Sequence, residues 1–256
     1  MEIHGYGVMI ALGVLCAGAA GKWLCRRCDA DFYDLLLIGA YGAAFGMVGA
    51  KLLYLLQNIR AIDWARISEP EYLKVLLSGG FVFYGGLLVG VLGGLLAVRV
   101  HHLPAESTIR VALPLLPLAH GFGRIGCQIA GCCHGICYQG PAAVIYSDSL
   151  AAPNGVPLFP VQTAEALLLF LIAAVMIRQL LRGASAESLI LLYVYSYGVV
   201  RFSLEFLRGD AVRGVYGSFS ASQWISLLLL AAATVYTFSR FRTKKRTDTE
   251  CAAHEK

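Results

Sequence analysis

The sequence predicts an all-α, polytopic membrane protein with about seven transmembrane helices, its N-terminus outside and its C-terminus cytoplasmic. Two observations lead there. Of 256 residues, 58% are hydrophobic and only 14% charged, and the mean hydropathy is +0.67, more apolar surface than a water-soluble core of this size needs. The apolar residues also fall into windows of about 20, the length that crosses a hydrocarbon core of roughly 30 Å.

The windows run through Ile3 to Trp23, Phe32 to Leu56, Phe81 to Val100, Val111 to Ala130, Val161 to Leu181, Ser188 to Phe206 and Ala221 to Phe238. The first lacks a basic leader and a small-residue cleavage pattern before Lys22, so it reads as a retained span and not as a removable signal peptide. Lys and Arg set the orientation. With the N-terminus outside, the inner side holds Lys22, Arg26, Arg27, Arg99, Arg110, Arg178, Arg182 and the basic tail from Arg240 to Lys256. The outer side holds only Arg60, Arg66, Lys74, Arg208 and Arg213. The net charge of +5 thus reflects topology and points to no nucleic-acid partner. The simplest organisation is one membrane domain, 1–242, with a short polar cytoplasmic tail, 243–256. Two long outer loops remain, Gln57 to Gly80 around Pro70 and Gly131 to Pro160; loops of this length either carry function or join distant helix ends.

Three basic residues lie within or at the ends of apolar spans: Lys51, Arg124 and Arg201. Each costs about 2.5 to 3.5 kcal/mol at a helix centre on insertion scales, so each is expected to face a cavity or a partner. A phosphate suits arginine, whose planar fork matches two phosphate oxygens. The competing reading is internal pairing with the embedded acids Glu165 and Glu205. Glu205 follows Arg201 by four residues on the same helical face, so an intrahelical bridge is equally in order. Arg124 has no acid within one turn and is the better ligand-binding candidate, while Lys51 either snorkels or joins the site.

Several strings together resemble the bacterial prolipoprotein diacylglyceryl transferases. GFGRIGCQIAGCCHG is similar to a divergent form of that family's Gly-Arg-x-Gly-Asn signature with its later Gly. SGGFVFYGGLLVG, LFPVQTAEALL and YSYGVVRFSLEFLRGD resemble further blocks in the same order, and GYGVMIALG, GAKLLYLL and FSASQWISLLL fit the remainder. The resemblance implies seven spans, an outer N-terminus, residence in the bacterial inner membrane and no cofactor. It also implies transfer of a diacylglyceryl group from phosphatidylglycerol to the lipobox cysteine of an exported prolipoprotein. The partners would be that lipid, the prolipoprotein's signal-peptide region and the surrounding membrane lipid. By position, Arg124 and Arg201 would hold the phosphate, Tyr197 would support them and Gly135 would close the signature. Tyr6, Glu205 and Arg208 also match, as do Gln162 and Glu165, whereas Phe159 and Ala164 replace a family His and Tyr.

Thioether formation needs a thiolate and a departing phosphate ester that gains charge, so arginines placed where that charge develops lower the barrier. The thiol proton needs an acceptor, and here the chain departs from the pattern. Tyr84 stands where the family has His, and a phenol is a poor base at neutral pH but a good donor. His120, one turn before Arg124, and His134 after it are the local substitutes; a hydrogen-bonded structural role is the alternative for each. Cys127 stands where the signature has Asn and could line the substrate pocket, beside Cys132, Cys133 and Cys137. Adjacent cysteines point apart and do not give the paired spacing of a zinc site, so no metal is expected. The Cys25 and Cys28 pair lies at the inner end of the first span, where a reducing cytoplasm disfavours a permanent disulfide. Two rival functions stay open: the same lipid donor with a different acceptor, and a non-catalytic lipid-binding relative.

Overall fold

The computed structural model describes residues 2–210 and 215–254. Nine α-helices are described: α1 (Glu2–Cys28), α2 (Phe32–Gln57), α3 (Pro70–Ser78), α4 (Phe83–Val100), α5 (Ala105–Ala112), α6 (Leu115–Ala130), α7 (Val161–Leu181), α8 (Ala186–Leu204) and α9 (Ala221–His254). Two two-stranded ribbons join them: β1 (Val144–Ile145) with β2 (Pro157–Leu158), and β3 (Val215–Tyr216) with β4 (Phe219–Ser220). Five helices, α1, α2, α7, α8 and α9, are long and apolar enough to cross a membrane. α4 is apolar but shorter. α9 continues through the expected tail to His254.

The fourth apolar window is not one helix. Pro114 has no N–H to give to a preceding carbonyl and crowds the residue before it, so the chain breaks between α5 and α6. The 57–80 loop likewise holds structure: a 3-10 turn, Trp64–Arg66, and α3, which starts with Pro70 where a missing N–H does no harm. Asp31 and Ser185 cap α2 and α8 by accepting from the Tyr33 N–H at 2.7 Å and the Ser188 N–H at 3.2 Å.

Two compact units divide the chain, Leu24–Ala112 and Met1–Trp23 with Leu113–Lys256. In the first, α2 and α4 approach so closely that side chains are excluded. A methyl group on Gly90 would lie 3.0 Å from the Gly42 carbonyl, one on Gly46 3.3 Å from that of Gly86, and one on Gly85 against the Gly49 carbonyl. Their other faces carry exposed Met47, Val48, Leu88 and Leu92, a surface suited to lipid. Gly85→Leu is expected to force the pair apart, destabilising the protein by about 1 to 3 kcal/mol; thermal melting in detergent reads this, with Gly39→Ala, which meets nothing within 4 Å, left unchanged.

Two expected site residues belong to this unit. The Lys51 ammonium donates to the carbonyls of Leu76 and Gly79 at the end of α3, and sits 4.9 Å from the Tyr54 ring centre and 5.2 Å from that of Phe81. It therefore caps a helix C-terminus, where a cation is favoured. Tyr84 lies in the first turn of α4.

In the other unit, α7 is the buried helix, with Leu169, Ala173, Met176 and Leu180 inside. Phe170 of α7 fills the space above Gly121 and meets Phe122 of α6 edge to face at 5.3 Å. The first half of α1 lies on α6, Tyr6 over Gly126 and Phe122 over Gly13. α8 receives Leu230 of α9 over Gly198.

The 131–160 loop is pinned by a short extended run. Ile136 donates to Leu207 O at 3.0 Å, Phe159 to Ile136 O at 2.9 Å, Tyr138 to Pro157 O at 2.9 Å and Gly209 to His134 O at 3.0 Å. Segment 134–138 thus runs between 157–159 and 207–209. Gly135 is there because a Cβ would collide with the Phe159 and Leu207 carbonyls from either side.

Candidate active site

The site is assembled from α6, α7 and α8. Arg124 projects from α6, its Nε donating to His120 Nε2 at 3.2 Å and its Nη2 lying 3.2 Å from Glu165 Oε1 of α7. Tyr197 of α8 donates to the same oxygen at 2.9 Å, and its ring meets His120 edge to face at 5.3 Å and stacks on Tyr193 at 5.6 Å. Glu165 is 1% exposed, and a carboxylate so buried must be paired. It lies within electrostatic range of both Arg124 and Arg201.

These contacts revise two sequence expectations. Arg124, without an acid near it in the sequence, finds one 41 positions away in Glu165. His120 presents the Nε2 lone pair to Arg124, so the nitrogen that a base would use is engaged in orienting the guanidinium.

Arg201 is 7% exposed. Its Nη2 lies 2.6 Å from Glu205 Oε2 and donates to Ser222 Oγ of α9 at 2.9 Å. Among the described residues, its Nη1 is buried with no hydrogen-bond partner. A buried guanidinium nitrogen without an acceptor is an open position for an anion.

Arg208, next along the chain, holds Asp210 with two bonds of 3.0 and 2.9 Å and stands 4.0 Å from Glu205. Burial works against its charge, but the Asp210 carboxylate and the nearby Cys133 sulfur together offset this and hold its pKa above the ordinary arginine range. Gly135 bridges to Arg208 through the backbone, and His134 Nδ1 lies 3.0 Å from the Gly135 carbonyl oxygen.

Cys127 sits one turn after Arg124, and Tyr6 lies within electrostatic range of Arg124 and of Cys127, Cys132 and Cys133. The expectation that the neighbouring thiols point apart does not hold. Gly131 at φ 70° and Cys133 at φ 59° turn the chain back on α6, and the Sγ atoms of Cys127, Cys132 and Cys133 all lie within 4.8 Å of one another. Cys16, Cys25, Cys28, Cys127, Cys132, Cys133 and Cys137 are free thiols.

One unit therefore gathers Arg124, His120, Tyr197, Arg201, Glu205, Arg208, Gly135, His134, Cys127 and Tyr6; Lys51 and Tyr84 belong to the other. The sequence had marked Glu165 as an embedded acid without making it a site residue. Ser222 carried no signal, because a serine in an apolar helix is unremarkable until its partner is known. Gln162, 2% exposed, donates to the Cys132 carbonyl at 2.9 Å and holds the turn after α6.

The sequence profile of prolipoprotein diacylglyceryl transferase matches residues 1–239. The chain belongs to that family. Among similar proteins, the phosphatidylglycerol–prolipoprotein diacylglyceryl transferase of Clostridium tetani is 35% identical over 249 residues, covering 94% of this chain and 95% of the relative. The transferase 2 of the same name from Clostridium perfringens is 30% identical over 250 residues, covering 96% and 95%. A Dehalococcoides mccartyi transferase is 31% identical over 255 residues, covering 97% and 93%. Family membership extends across the helices that build the site, so the paired arginines stand inside a transferase framework and not in an isolated motif.

Proposed function

We propose that the chain transfers the diacylglyceryl group of phosphatidylglycerol to the lipobox cysteine thiol of an exported prolipoprotein, forming a thioether and releasing glycerol phosphate. The observation that carries this reading is the pair of buried arginines on α6 and α8 that share the field of Glu165, one of them with an open nitrogen. Relatives similar along nearly the whole chain bear the name of that reaction.

Arg201 Nη1 takes a phosphate oxygen of the lipid. Arg124, fixed by His120 and Glu165, supplies a second positive group whose direction is set before substrate arrives, so little reorganisation is needed as charge builds on the leaving phosphate. Tyr197 holds Glu165, and through it Arg124. Ser222 and Glu205 both hold Arg201 through Nη2, which leaves Nη1 for the substrate. With His120 committed to Arg124, His134 is the remaining histidine of this unit's candidates for the base that takes the thiol proton.

We place this chemistry in the bacterial inner membrane with the N-terminus outside. α4 and α6 complete seven crossings; α4 extends about 27 Å and α6 about 24 Å at 1.5 Å per residue, short of the roughly 30 Å core. The exposed apolar face of α4 supports its placement against lipid.

Purified protein incubated with labelled phosphatidylglycerol and a lipobox peptide is expected to give thioether-linked diacylglyceryl peptide, detected by mass spectrometry. Lipid consumption without peptide product would transfer the reading to another acceptor. Binding of lipid with no consumption would reduce the protein to a lipid-binding relative, and product from Tyr84→His alone would locate the missing base.

A further inference from the structure

The three thiols of Cys127, Cys132 and Cys133 come from two different pieces of chain, the last turn of α6 and the bend that follows it. Their Sγ atoms lie within 4.8 Å of one another, and all three residues are half-buried, within reach of a small ion. Holding them so requires a non-glycine residue, Cys133, in the left-handed region at φ 59°, a conformation that costs roughly 1 to 2 kcal/mol. Cys137, four residues on, is exposed and stays outside the cluster.

We propose that Cys127, Cys132 and Cys133 bind a single Cu(I) ion in three-coordinate thiolate geometry, one helical turn from Arg124. Three sulfurs suit soft Cu(I), whereas Zn(II) would require a fourth ligand to complete its tetrahedron. Binding replaces three S–H protons, released to solvent, by three S–Cu bonds; copper stays Cu(I) throughout and no electron is exchanged. Three thiolates and one Cu(I) leave two negative charges. Arg208 and Arg124 lie within electrostatic range of these sulfurs and offset part of that charge, each shared with a carboxylate, Asp210 and Glu165. Affinity rises with pH, because the thiol protons must leave before the metal enters. The site stands independently of the transferase reading, since it needs only the thiol geometry.

The test uses the full-length, reduced protein in detergent, titrated anaerobically with Cu(I) against a chromophoric chelator, and separately with Zn(II). One equivalent of Cu(I) is expected, with a near-ultraviolet sulfur-to-copper absorption band. Cys132→Ser should lose at least the roughly 10- to 100-fold in affinity that removal of even an outer-shell partner costs. Cys16→Ser and Cys137→Ser should bind as the native protein does. Because a substituted chain can misfold, alkylation of the native protein is read alongside by mass spectrometry: Cu(I) should shield Cys127, Cys132 and Cys133 while leaving Cys16 and Cys137 reactive. Failure to retain one equivalent against the chelator, unchanged affinity in Cys132→Ser, or alkylation of the three thiols unaffected by copper would each overturn the site. Retention of Zn(II) but not Cu(I) would overturn the three-coordinate copper assignment.

Discussion

Arg124→Ala is expected to lower the turnover of diacylglyceryl transfer by about 100- to 1000-fold, the loss that follows removal of one preorganised donor at a developing negative charge. The side chain is held at two points, His120 through Nε and Glu165 through Nη2, and both are lost together. Arg124→Lys should rescue little, because a single ammonium on a flexible stem cannot meet a ring nitrogen and a carboxylate in the fixed geometry of a guanidinium. Alanine also leaves Glu165 buried with Tyr197 but without its cation, so a fall in activity could arise from disturbed packing. The Arg124→Ala/Glu165→Gln double variant removes the surplus charge; it should regain the native melting temperature in detergent and remain inactive. Turnover above a tenth of the native value in the folded single variant would take Arg124 out of the reacting centre.

The second large effect is on stability. Glu205→Ala should destabilise the protein by about 3 to 5 kcal/mol, the range for breaking a buried ion pair and abandoning one partner. Arg201 would keep Ser222 but lose its carboxylate, and its side chain is only 8% exposed. Replacing both partners by apolar residues of similar size, Arg201→Met with Glu205→Leu, should recover most of that stability, since the desolvation of both charges disappears with them. The recovered double variant should still be inactive, because the nitrogen offered to the phosphate has gone. Chemical or thermal unfolding measured beside the transfer assay separates the two effects; a double variant as unstable as Glu205→Ala would show that the pair is not the source of the loss.

These two residues show how far the sequence could be read. Arg201 and Glu205 are four apart on one helix, so their pairing was visible as an option from periodicity alone. Arg124 and Glu165 are on different helices, and only packing of α6 on α7 brings them together. The apolar span Val161–Leu181 was legible to the residue, while others, such as Ser188 to Phe206 against Ala186–Leu204, shift by about a turn or less at their ends. The window from Val111 to Ala130 was not legible, because its hydropathy is continuous through Pro114 while its backbone is not. The thiol cluster was hidden for a third reason. Spacing predicts where side chains go only when the backbone is regular, and the left-handed residue at Cys133 reverses that direction. Lys51 was ambiguous because its partners are carbonyls of a helix inside what looked like a loop.

The extended run at 134–138 has a mechanical consequence. Hydrogen-bonded on one edge to the residues leading into α7 and on the other to those leaving α8, it joins the chain at the ends of three helices into a single cooperative patch of backbone. Such a patch opens as a whole or not at all. The segment carrying His134 and Gly135 cannot lift as an independent flap, and any movement that admits a lipid must either carry Arg208 with it or enter from the side, between helices, leaving the patch closed.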